Sequence, residues 1–379
     1  MVHSPVGIRS LALTFPTIRR TNNYYIEKYP EVVAQAERKG LARMFPLAGI
    51  LPNNKFDMEM LPYVSDPFRG TVERWVLGSD ESSLTLEYRA ATDALNAAKL
   101  SPNEVDLMIV ASILPEQIGL GNAAFLARKL GLVGAAWNLD GTCGSTPVVL
   151  QTACALVRAG EYRNVLVVIS CSYSRVFDEK DTVSWFLGDG AGAFVVSSLE
   201  ENQGILGTKT VHTGALCEVV SAKVVKDEQG NSRVRMQTGK GVKALRETAA
   251  EFLCVCCEGA IASAGVTLQQ IDFFLFNTPT AWVTSFCTRL LGIDPERTIN
   301  LYPVYANIGP VLTVANMYYA ALLGKIHEND LVLIYGSGAA GVASASVMRW
   351  GNVALGSDPL ESSESTKKAS SQERSEISF

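Results

Sequence analysis

An internal repeat constrains the fold of this chain more than any other feature of its sequence. The stretch ALNAAKLSPNEVDLMIVAS (Ala94–Ser112) matches AIASAGVTLQQIDFFLFNT (Ala260–Thr278) without a gap. Both stretches have the pattern of a helix end, a short turn, an aspartate and then an apolar strand. A chain that carries such a unit twice is expected to build two related halves.

The repeat places a cysteine and an asparagine at equivalent positions. The interval from Cys143 to Gly160 is the same as the interval from Asn307 to Gly324. Cys143 and Asn307 each stand where a strand-like segment gives way to an apolar helical run. Because such joints face the ligand crevice in open α/β sheets, we expect Cys143 and Asn307 to meet where the two halves join.

Helical and strand-like segments alternate as far as Trp350, which predicts an α/β fold. We expect an N-terminal half over residues 1–200 and a C-terminal half over residues 201–350. The segment 351–379 is rich in serine, glutamate and lysine, and its composition predicts a disordered tail.

The composition narrows the function classes. Of the 379 residues, 47% are hydrophobic and 19% are charged, which leaves ample material for a buried core. The net charge of −5 without any basic block argues against nucleic acid as a partner. The sequence has no apolar run of about 18–20 residues, as a membrane span would need, and its first ten residues do not resemble a signal peptide. We therefore expect a cytoplasmic protein without a membrane partner.

The cysteines do not have the spacing of a metal site. The eight cysteines show no paired CxxC spacing of the zinc type, so we predict neither a bound metal nor a disulfide framework. Cys254, Cys256 and Cys257 lie inside an apolar helical run and are interpreted as packing residues. Cys143 is the candidate for a reactive thiol.

Four segments together indicate a known family. They are the Cys143 joint, WFLGDGAGAFVVSS (Trp185–Ser198), YANIGP (Tyr305–Pro310) and YGSGAAG (Tyr335–Gly341). With these segments the chain resembles the thiolase-fold superfamily, and most closely its ketoacyl-ACP synthase III and type III polyketide synthase branch. The resemblance implies two βαβαβαββ halves that form a five-layered αβαβα core, and a homodimer.

Cys143 is the expected nucleophile. At a helix N-terminus the helix dipole and free N–H groups lower a thiol pKa, so we expect a thiolate that takes an acyl group from a thioester. The resemblance implies an oxyanion hole formed by the backbone N–H groups of Cys143 and Ser337. Gly336 and Gly338 would permit the close backbone approach that such a site needs.

The second half differs from the resembled enzymes in one catalytic position. Asn307 matches the family's catalytic asparagine, whereas Asn277 stands where the family has a histidine. Asn277 can donate a hydrogen bond to an oxygen, but an amide cannot take a proton as imidazole does. Acyl loading onto Cys143 is therefore expected, while decarboxylation would depend on Asn277 and Asn307 as a pair of neutral donors.

The remaining site predictions also come from the resemblance. Glu116 lies on a loop that crosses the dimer interface in the resembled enzymes and is a candidate base, with a solvated loop carboxylate as the alternative. Thr278, Thr280 and Trp282 follow the histidine position, where the family binds its donor. An arginine and an asparagine that hold coenzyme A in the family are absent there, so both acyl-CoA and acyl-ACP remain candidate substrates. No tightly bound cofactor is expected.

Two functions from different classes fit the sequence. The first is an acyltransferase of the ketoacyl-ACP synthase III type in specialised, polyketide-like or fatty-acid-like metabolism. It would carry an acyl group on Cys143 and pass it on by C–C condensation or by C–O or C–N acyl transfer. The second is a catalytically impaired subunit that binds a carrier protein or sets chain length. The missing histidine favours the second function, and the retained Cys143 and Asn307 favour the first.

Overall fold

The computed structural model describes residues 5–47, 54–217, 219–226, 230, 232–238 and 242–359. The strands are β1 (Val6–Thr14), β2 (Ile18–Thr21), β3 (Glu73–Val76), β4 (Leu107–Ile113), β5 (Ala135–Asn138), β6 (Val165–Ser172), β7 (Asp189–Ser198), β8 (Gly204–His212), β9 (Val220–Lys226), β10 (Ser232–Thr238), β11 (Phe273–Phe276), β12 (Leu331–Ser337), β13 (Val342–Arg349) and β14 (Ala354–Leu355). The helices are α1 (Asn22–Lys28), α2 (Pro30–Leu47), α3 (Lys55–Met60), α4 (Ser83–Ala98), α5 (Ala123–Leu130), α6 (Ser145–Arg158), α7 (Val242–Ala264), α8 (Val283–Leu291), α9 (Tyr302–Tyr305) and α10 (Val311–Leu322).

Two large sheets share one strand order. The first sheet runs β14-β1-β7-β6-β4-β5, and the second runs β8-β13-β12-β11. The strands β1-β7-β6-β4 of the first sheet correspond to β8-β13-β12-β11 of the second. In each set the first two neighbouring pairs are antiparallel and the third pair is parallel. A parallel bridge between Phe274 and Thr298 stands where the first sheet has β5. The halves of the sequence repeat therefore form equivalent sheets.

The elements stack in five layers. Helices α4 and α5 cover the outer face of the first sheet, and α7 and α8 cover the outer face of the second. Helices α6 and α10 lie between the two sheets, where every residue of α10 from Val311 to Ala320 is buried. Such complete burial explains why both central helices are apolar around most of their circumference.

The ends of the central helices explain the glycines that mark the repeat. Gly160 follows α6 and Gly324 follows α10, with φ angles of 79° and 64°. Left-handed backbone of this kind costs glycine little, whereas any side chain raises its energy. The interval from Cys143 to Gly160 therefore equals that from Asn307 to Gly324 because α6 and α10 end in the same way.

The predicted disordered tail requires a correction at its start. Within 351–359, strand β14 pairs in parallel with β1, and the Tyr318 hydroxyl donates to the carbonyl oxygens of Gly356 and Ser357 at 2.9 and 3.0 Å. Asp93 also accepts a hydrogen bond from the Ser357 N–H. The polar composition gave no sign of these contacts, because backbone hydrogen bonds do not depend on apolar side chains. Residues 360–379 lie outside the described residues.

Two further findings concern features that the sequence analysis excluded. In the part of the chain that the structure describes, no helix combines the length and the apolar character needed to cross a membrane. Over the same residues, histidine, cysteine and acidic side chains do not gather in any group of three or more that could hold a metal ion.

Candidate active site

The Cys143 joint is a tight turn that leads into a central helix. Cys143 lies in a 3-10 turn, Thr142–Gly144, and α6 begins at the next residue. Thr142 has a φ angle of 54°, and its N–H donates to Asp140 Oδ1 at 2.6 Å. A β-branched residue in left-handed backbone is strained, and such strain persists only where the surroundings impose it. The turn thus fixes the direction in which the Cys143 side chain leaves the backbone.

The Asn307 joint also has a residue with positive φ directly before its functional side chain. Ala306 precedes Asn307 with φ 59° and ψ −164°, a region that glycine alone normally occupies. Asn307 Oδ1 accepts a hydrogen bond from the Gly309 N–H at 2.8 Å. Because the oxygen of this partly exposed side chain is bound, its Nδ2 group is the end that remains to donate to another molecule.

Asn277 connects the two joints. Its Nδ2 group donates to the carbonyl oxygens of Cys143 and Gly309, each at 2.9 Å, and the side chain is 3% exposed. Two carbonyl acceptors fix the orientation of the amide, since a reversed amide would set oxygen against oxygen. Both N–H donors of Asn277 are therefore engaged with the backbone, and its buried Oδ1 has no partner in the described part of the structure. The expectation that Asn277 donates to a substrate oxygen does not match this arrangement.

A glycine-rich turn after β12 closes over the Cys143 joint. A Cβ atom added at Gly338 would lie 2.2 Å from Thr142 Oγ1 and 2.4 Å from the Gly141 carbonyl oxygen. At Gly336 it would lie 3.3 Å from Pro147, in the first turn of α6. Contact this close requires glycine at Gly338, because real Cβ atoms do not approach other heavy atoms to such distances.

The backbone of β12 directs one N–H towards the joint. Gly338 donates to the Val342 carbonyl at 2.8 Å within the antiparallel pair of β12 and β13. Along such a pair, successive residues direct their N–H groups to opposite edges of the strand. The N–H of the preceding Ser337 therefore points away from β13, to the other edge of β12. Strand β11 lies along that edge, and it leads into Asn277, whose own N–H donates to the Tyr335 carbonyl at 2.8 Å.

The Cys143 thiol has one hydroxyl neighbour. Cys143 Sγ lies 3.9 Å from the Tyr173 hydroxyl oxygen. Burial raises the pKa of the Cys143 thiol to about 11, and the Asp140 charge adds to this rise, while the Tyr173 hydrogen bond lowers the pKa. Burial therefore opposes the thiolate that the helix start was expected to favour. The thiolate at rest stays a prediction.

Comparison with known proteins agrees with this geometry. The family model of 3-oxoacyl-[acyl-carrier-protein (ACP)] synthase III matches residues 138–214, and the model of its C-terminal part matches residues 261–350. The β-ketoacyl-[acyl-carrier-protein] synthase III of Gloeobacter violaceus is 31% identical over 294 residues, which cover 75% of this chain and 88% of the relative. The chain belongs to the β-ketoacyl-[acyl-carrier-protein] synthase III family.

Solved structures of synthase III enzymes share the fold. The synthase III of Thermus thermophilus superposes with a TM-score of 0.72 and 25% identity, covering 91% of this chain and 99% of the other. A cysteine-to-serine variant of Xanthomonas campestris OleA, solved with bound lauric acid and lauroyl-CoA, matches at a TM-score of 0.72 and 17% identity, covering 92% and 100%. The predicted thiolase fold and the predicted class of acyl-transferring enzyme are confirmed.

The residues that follow Asn277 in this synthase III homologue are largely enclosed. Thr278 is fully buried, and its hydroxyl oxygen accepts a hydrogen bond from Asn316. Thr280 is partly exposed, and its hydroxyl has no partner in the described part of the chain. Trp282 is 8% exposed and packs against the rings of Phe56 and Tyr63, with centroids 6.2 and 5.9 Å away. Of the three, Thr280 alone has a partly exposed side chain, and its unpaired hydroxyl oxygen is itself buried.

Glu116 lies on the outer side of the first half. Its exposed side chain follows β4, and its N–H donates to Ser83 Oγ at 3.0 Å, at the start of α4. Burial raises the pKa of Glu87 to about 7, and the charge of Glu116 also acts to raise it. These contacts place Glu116 beside the outer helix, and they give it no hydrogen bond to the Cys143 joint.

The described histidines are also elsewhere. His212 is exposed at the end of β8, beside Gly341, and His327 is exposed and contacts Asp330. His3 lies outside the described residues. No imidazole of the described chain therefore takes the place that Asn277 occupies.

Sequence reasoning missed Tyr173, whose hydroxyl oxygen lies 3.9 Å from the thiol sulfur. Tyr173 starts a 3-10 turn after β6. Asp189, in the GDGAGA segment, positions this turn by accepting hydrogen bonds from the N–H groups of Ser174 and Leu77 at 2.9 Å. The available signal was that Tyr173 follows the strand-like apolar run VLVVIS (Val165–Ser170), since strand ends face the ligand crevice in open α/β sheets.

Proposed function

We propose that this synthase III homologue takes an acyl group from a thioester onto Cys143 and transfers it to a second substrate. The observation that supports this most directly is that Asn277 links the two joints through the carbonyl oxygens of Cys143 and Gly309, beside the glycine turn that contacts Thr142. In this proposal, residues 1–200 supply the nucleophile and residues 201–350 supply Asn307 and the glycine turn.

The oxyanion that forms during acyl transfer would be stabilised by backbone donors. The Ser337 N–H points to the edge of β12 that faces the joint, and Cys143 supplies its own N–H. Donors fixed in advance stabilise a tetrahedral oxyanion more than mobile water does, because they need no reorganisation. Gly338 lets the two backbone segments approach closely enough for this task.

Transfer to an oxygen, nitrogen or sulfur nucleophile is the step that the site favours. Decarboxylative condensation requires donors for a developing enolate, and both N–H groups of Asn277 are bound to backbone carbonyls. That leaves Asn307 Nδ2 as the side-chain donor of the pair. The same observation favours the alternative function, a carrier-binding subunit with impaired condensation, over a malonyl-condensing enzyme.

The acyl donor is proposed to be an acyl-CoA or an acyl carrier protein. The family's names refer to the carrier protein, and the similar OleA structure contains lauroyl-CoA. Thr280 is the proposed contact for the donor, because its side chain is partly exposed and its buried hydroxyl has no partner in the described structure. No resident cofactor takes part in this scheme.

A homodimer is proposed through the β5 edge of the first sheet. Apolar side chains cluster there: Trp137 is 37% exposed, Ile118 is 73% exposed and Leu120 is 75% exposed. Asn138 joins the loop to the strand, because its Nδ2 group donates to the Leu120 carbonyl and its Oδ1 accepts from Ala123. Exposed apolar surface of this kind marks an interface. Glu116 lies on the same loop, so its proposed role as a base would be exercised near the partner's site.

The proposed function is tested by mass spectrometry with defined donors. Purified protein is incubated with acyl-CoA and acyl carrier protein substrates of several chain lengths, and the intact mass is measured. We expect an acyl adduct on the wild type and on Cys217→Ala, which changes an exposed cysteine, and no adduct on Cys143→Ala. The same samples then receive malonyl, alcohol and amine acceptors, and loss of the adduct with a product identifies the acceptor class. Absence of an adduct with every donor would support the subunit alternative.

A further inference from the structure

Tyr173 is held beside Cys143 by its backbone. The carbonyl oxygen of Tyr173 accepts hydrogen bonds from the N–H groups of Val176 and Phe177 at 3.1 and 3.2 Å. The next residue, Ser174, donates its N–H to the buried carboxylate of Asp189. The Tyr173 ring packs edge-on against Phe177, with centroids 6.0 Å apart. These contacts leave the hydroxyl as the free end of a fixed side chain that is 8% exposed.

The Tyr173 hydroxyl lies near two thiols. It is 3.9 Å from Cys143 Sγ, and the thiol of Cys171, at the end of β6, also interacts with it. Burial raises the pKa of Tyr173 well above its ordinary value of 10, and the two nearby thiols raise it further. Burial thus favours the protonated hydroxyl, which is available as a donor.

Other groups at the joint are already engaged. The Asn277 amide donates to two backbone carbonyls, and the Asn307 oxygen is bound by the Gly309 N–H. His212 and His327 are exposed and lie away from the thiol. Among the side chains that the structure describes, the Tyr173 hydroxyl is the hydrogen-bond partner of the Cys143 sulfur.

We propose that Tyr173 is a catalytic residue that donates its hydroxyl hydrogen bond to the sulfur of Cys143 as the thiol loses its proton. The inference rests on the proposed function, in which Cys143 attacks a thioester. In that step a bond forms between the Cys143 sulfur and the acyl carbon, and the bond from that carbon to the donor's sulfur breaks. The proton that leaves Cys143 ends on the departing thiol, and Tyr173 keeps its own proton throughout.

The hydrogen bond from Tyr173 lowers the energy of the deprotonated Cys143 sulfur. A donor that contacts a buried thiolate stabilises it, whereas the neutral thiol gains much less, so the donor lowers the thiol pKa. Tyr173 has this effect on Cys143, although burial keeps the thiol pKa at about 11. Without the hydroxyl the same burial remains while the compensating donor is lost. The thiolate fraction at neutral pH then falls.

The test measures alkylation of Cys143, which needs no knowledge of the acyl donor. Wild type and Tyr173→Phe are treated with iodoacetamide between pH 7 and pH 9, and the modification of Cys143 is followed by peptide-resolved mass spectrometry. Because the thiolate reacts and the thiol pKa is about 11, the wild-type rate should rise about tenfold per pH unit in this range. For Tyr173→Phe we expect a rate about tenfold lower at each pH, with the profile displaced to higher pH.

Tyr318→Phe is the matched control. It removes a buried hydroxyl that bonds to the carbonyls of Gly356 and Ser357, away from the thiol, and it should leave the alkylation profile of Cys143 unchanged. An unchanged profile in Tyr173→Phe, or an equal displacement in both variants, would overturn the proposal. The acyl adduct is measured on the same samples. If no donor acylates the wild type, the proposed function fails, and the alkylation profiles still decide the part played by Tyr173.

Discussion

The two joints of this molecule share a positive φ angle and differ in chemistry. Thr142 and Ala306 both have a positive φ directly before Cys143 and Asn307, and a central helix follows each joint. At the first joint the side chain is a thiol whose partner, Tyr173, comes from the 3-10 turn after β6. At the second joint the side chain binds its own loop through the Gly309 N–H. The duplicated unit therefore fixes where a side chain points, while the residue type and its neighbours determine what it does.

The glycine turn supplies the strongest test of how the second half reaches the first joint. Replacing Gly338 by alanine sets a Cβ atom 2.2 Å from Thr142 Oγ1, so the turn must withdraw from the joint and take the Ser337 N–H with it. We expect acylation of Cys143 to slow by about a thousandfold, the upper range for loss of an oxyanion donor. Gly214→Ala is the control, because nothing lies within 4 Å of that position. A wild-type acylation rate in Gly338→Ala would show that the position of the turn does not affect acylation of Cys143.

Asn307 tests whether the two joints act in different steps. Asn307→Asp keeps the oxygen that accepts from Gly309 but lacks the Nδ2 donor, and Asn307→Ala removes both. In single-turnover measurements both variants should form the acyl adduct, while transfer to the acceptor falls about a hundredfold. Loss of the adduct itself in Asn307→Asp, or normal transfer, would contradict a donor role confined to the second step.

Asn277 tests whether the joints depend on each other. Asn277→Ala leaves the buried carbonyls of Cys143 and Gly309 without a donor, so we expect a loss of about 2 kcal/mol in the free energy of unfolding. Urea titration measures this loss, and the exposed Asn96→Ala provides the control, with a change within about 0.5 kcal/mol. An equal effect of the two substitutions would show that the bridge does not stabilise the joints.

The strain at the second joint can be relieved by one substitution. Ala306 has backbone angles that glycine adopts freely, so Ala306→Gly should raise the free energy of unfolding by about 1 kcal/mol after the entropy cost of glycine is subtracted. The same substitution at exposed Ala262, inside α7, should lower it by about 1 kcal/mol. Destabilisation in both variants would show that the strain at Ala306 is not relieved in this way.

The repeat made most of the fold and the two joints predictable. It placed Cys143 and Asn307 at equivalent positions because the helices that follow them end at equivalent glycines. Cys256 and Cys257 are buried inside α7, as their apolar run indicated.

The contacts of the thiol were beyond the reach of sequence reasoning. The pKa of Cys143 depends on how much of the sulfur is buried and on Tyr173, which reaches it from the 3-10 turn after β6. The pattern showed only a helix N-terminus, so it predicted a thiolate. Asn277 was assigned to the site from the resemblance, whereas its use of both N–H groups on backbone carbonyls depends on tertiary structure.

The account depends above all on Cys143 as the carrier of the acyl group, and peptide mapping of the trapped acyl-enzyme tests this directly. Protein loaded with an acyl thioester is acid-quenched and digested, and the modified residue is located by tandem mass spectrometry. We predict that the acyl mass lies on the peptide that contains Cys143, and that hydroxylamine, which cleaves thioesters, removes it. An acyl group on another residue, with Cys143 unmodified under every donor, would contradict the account.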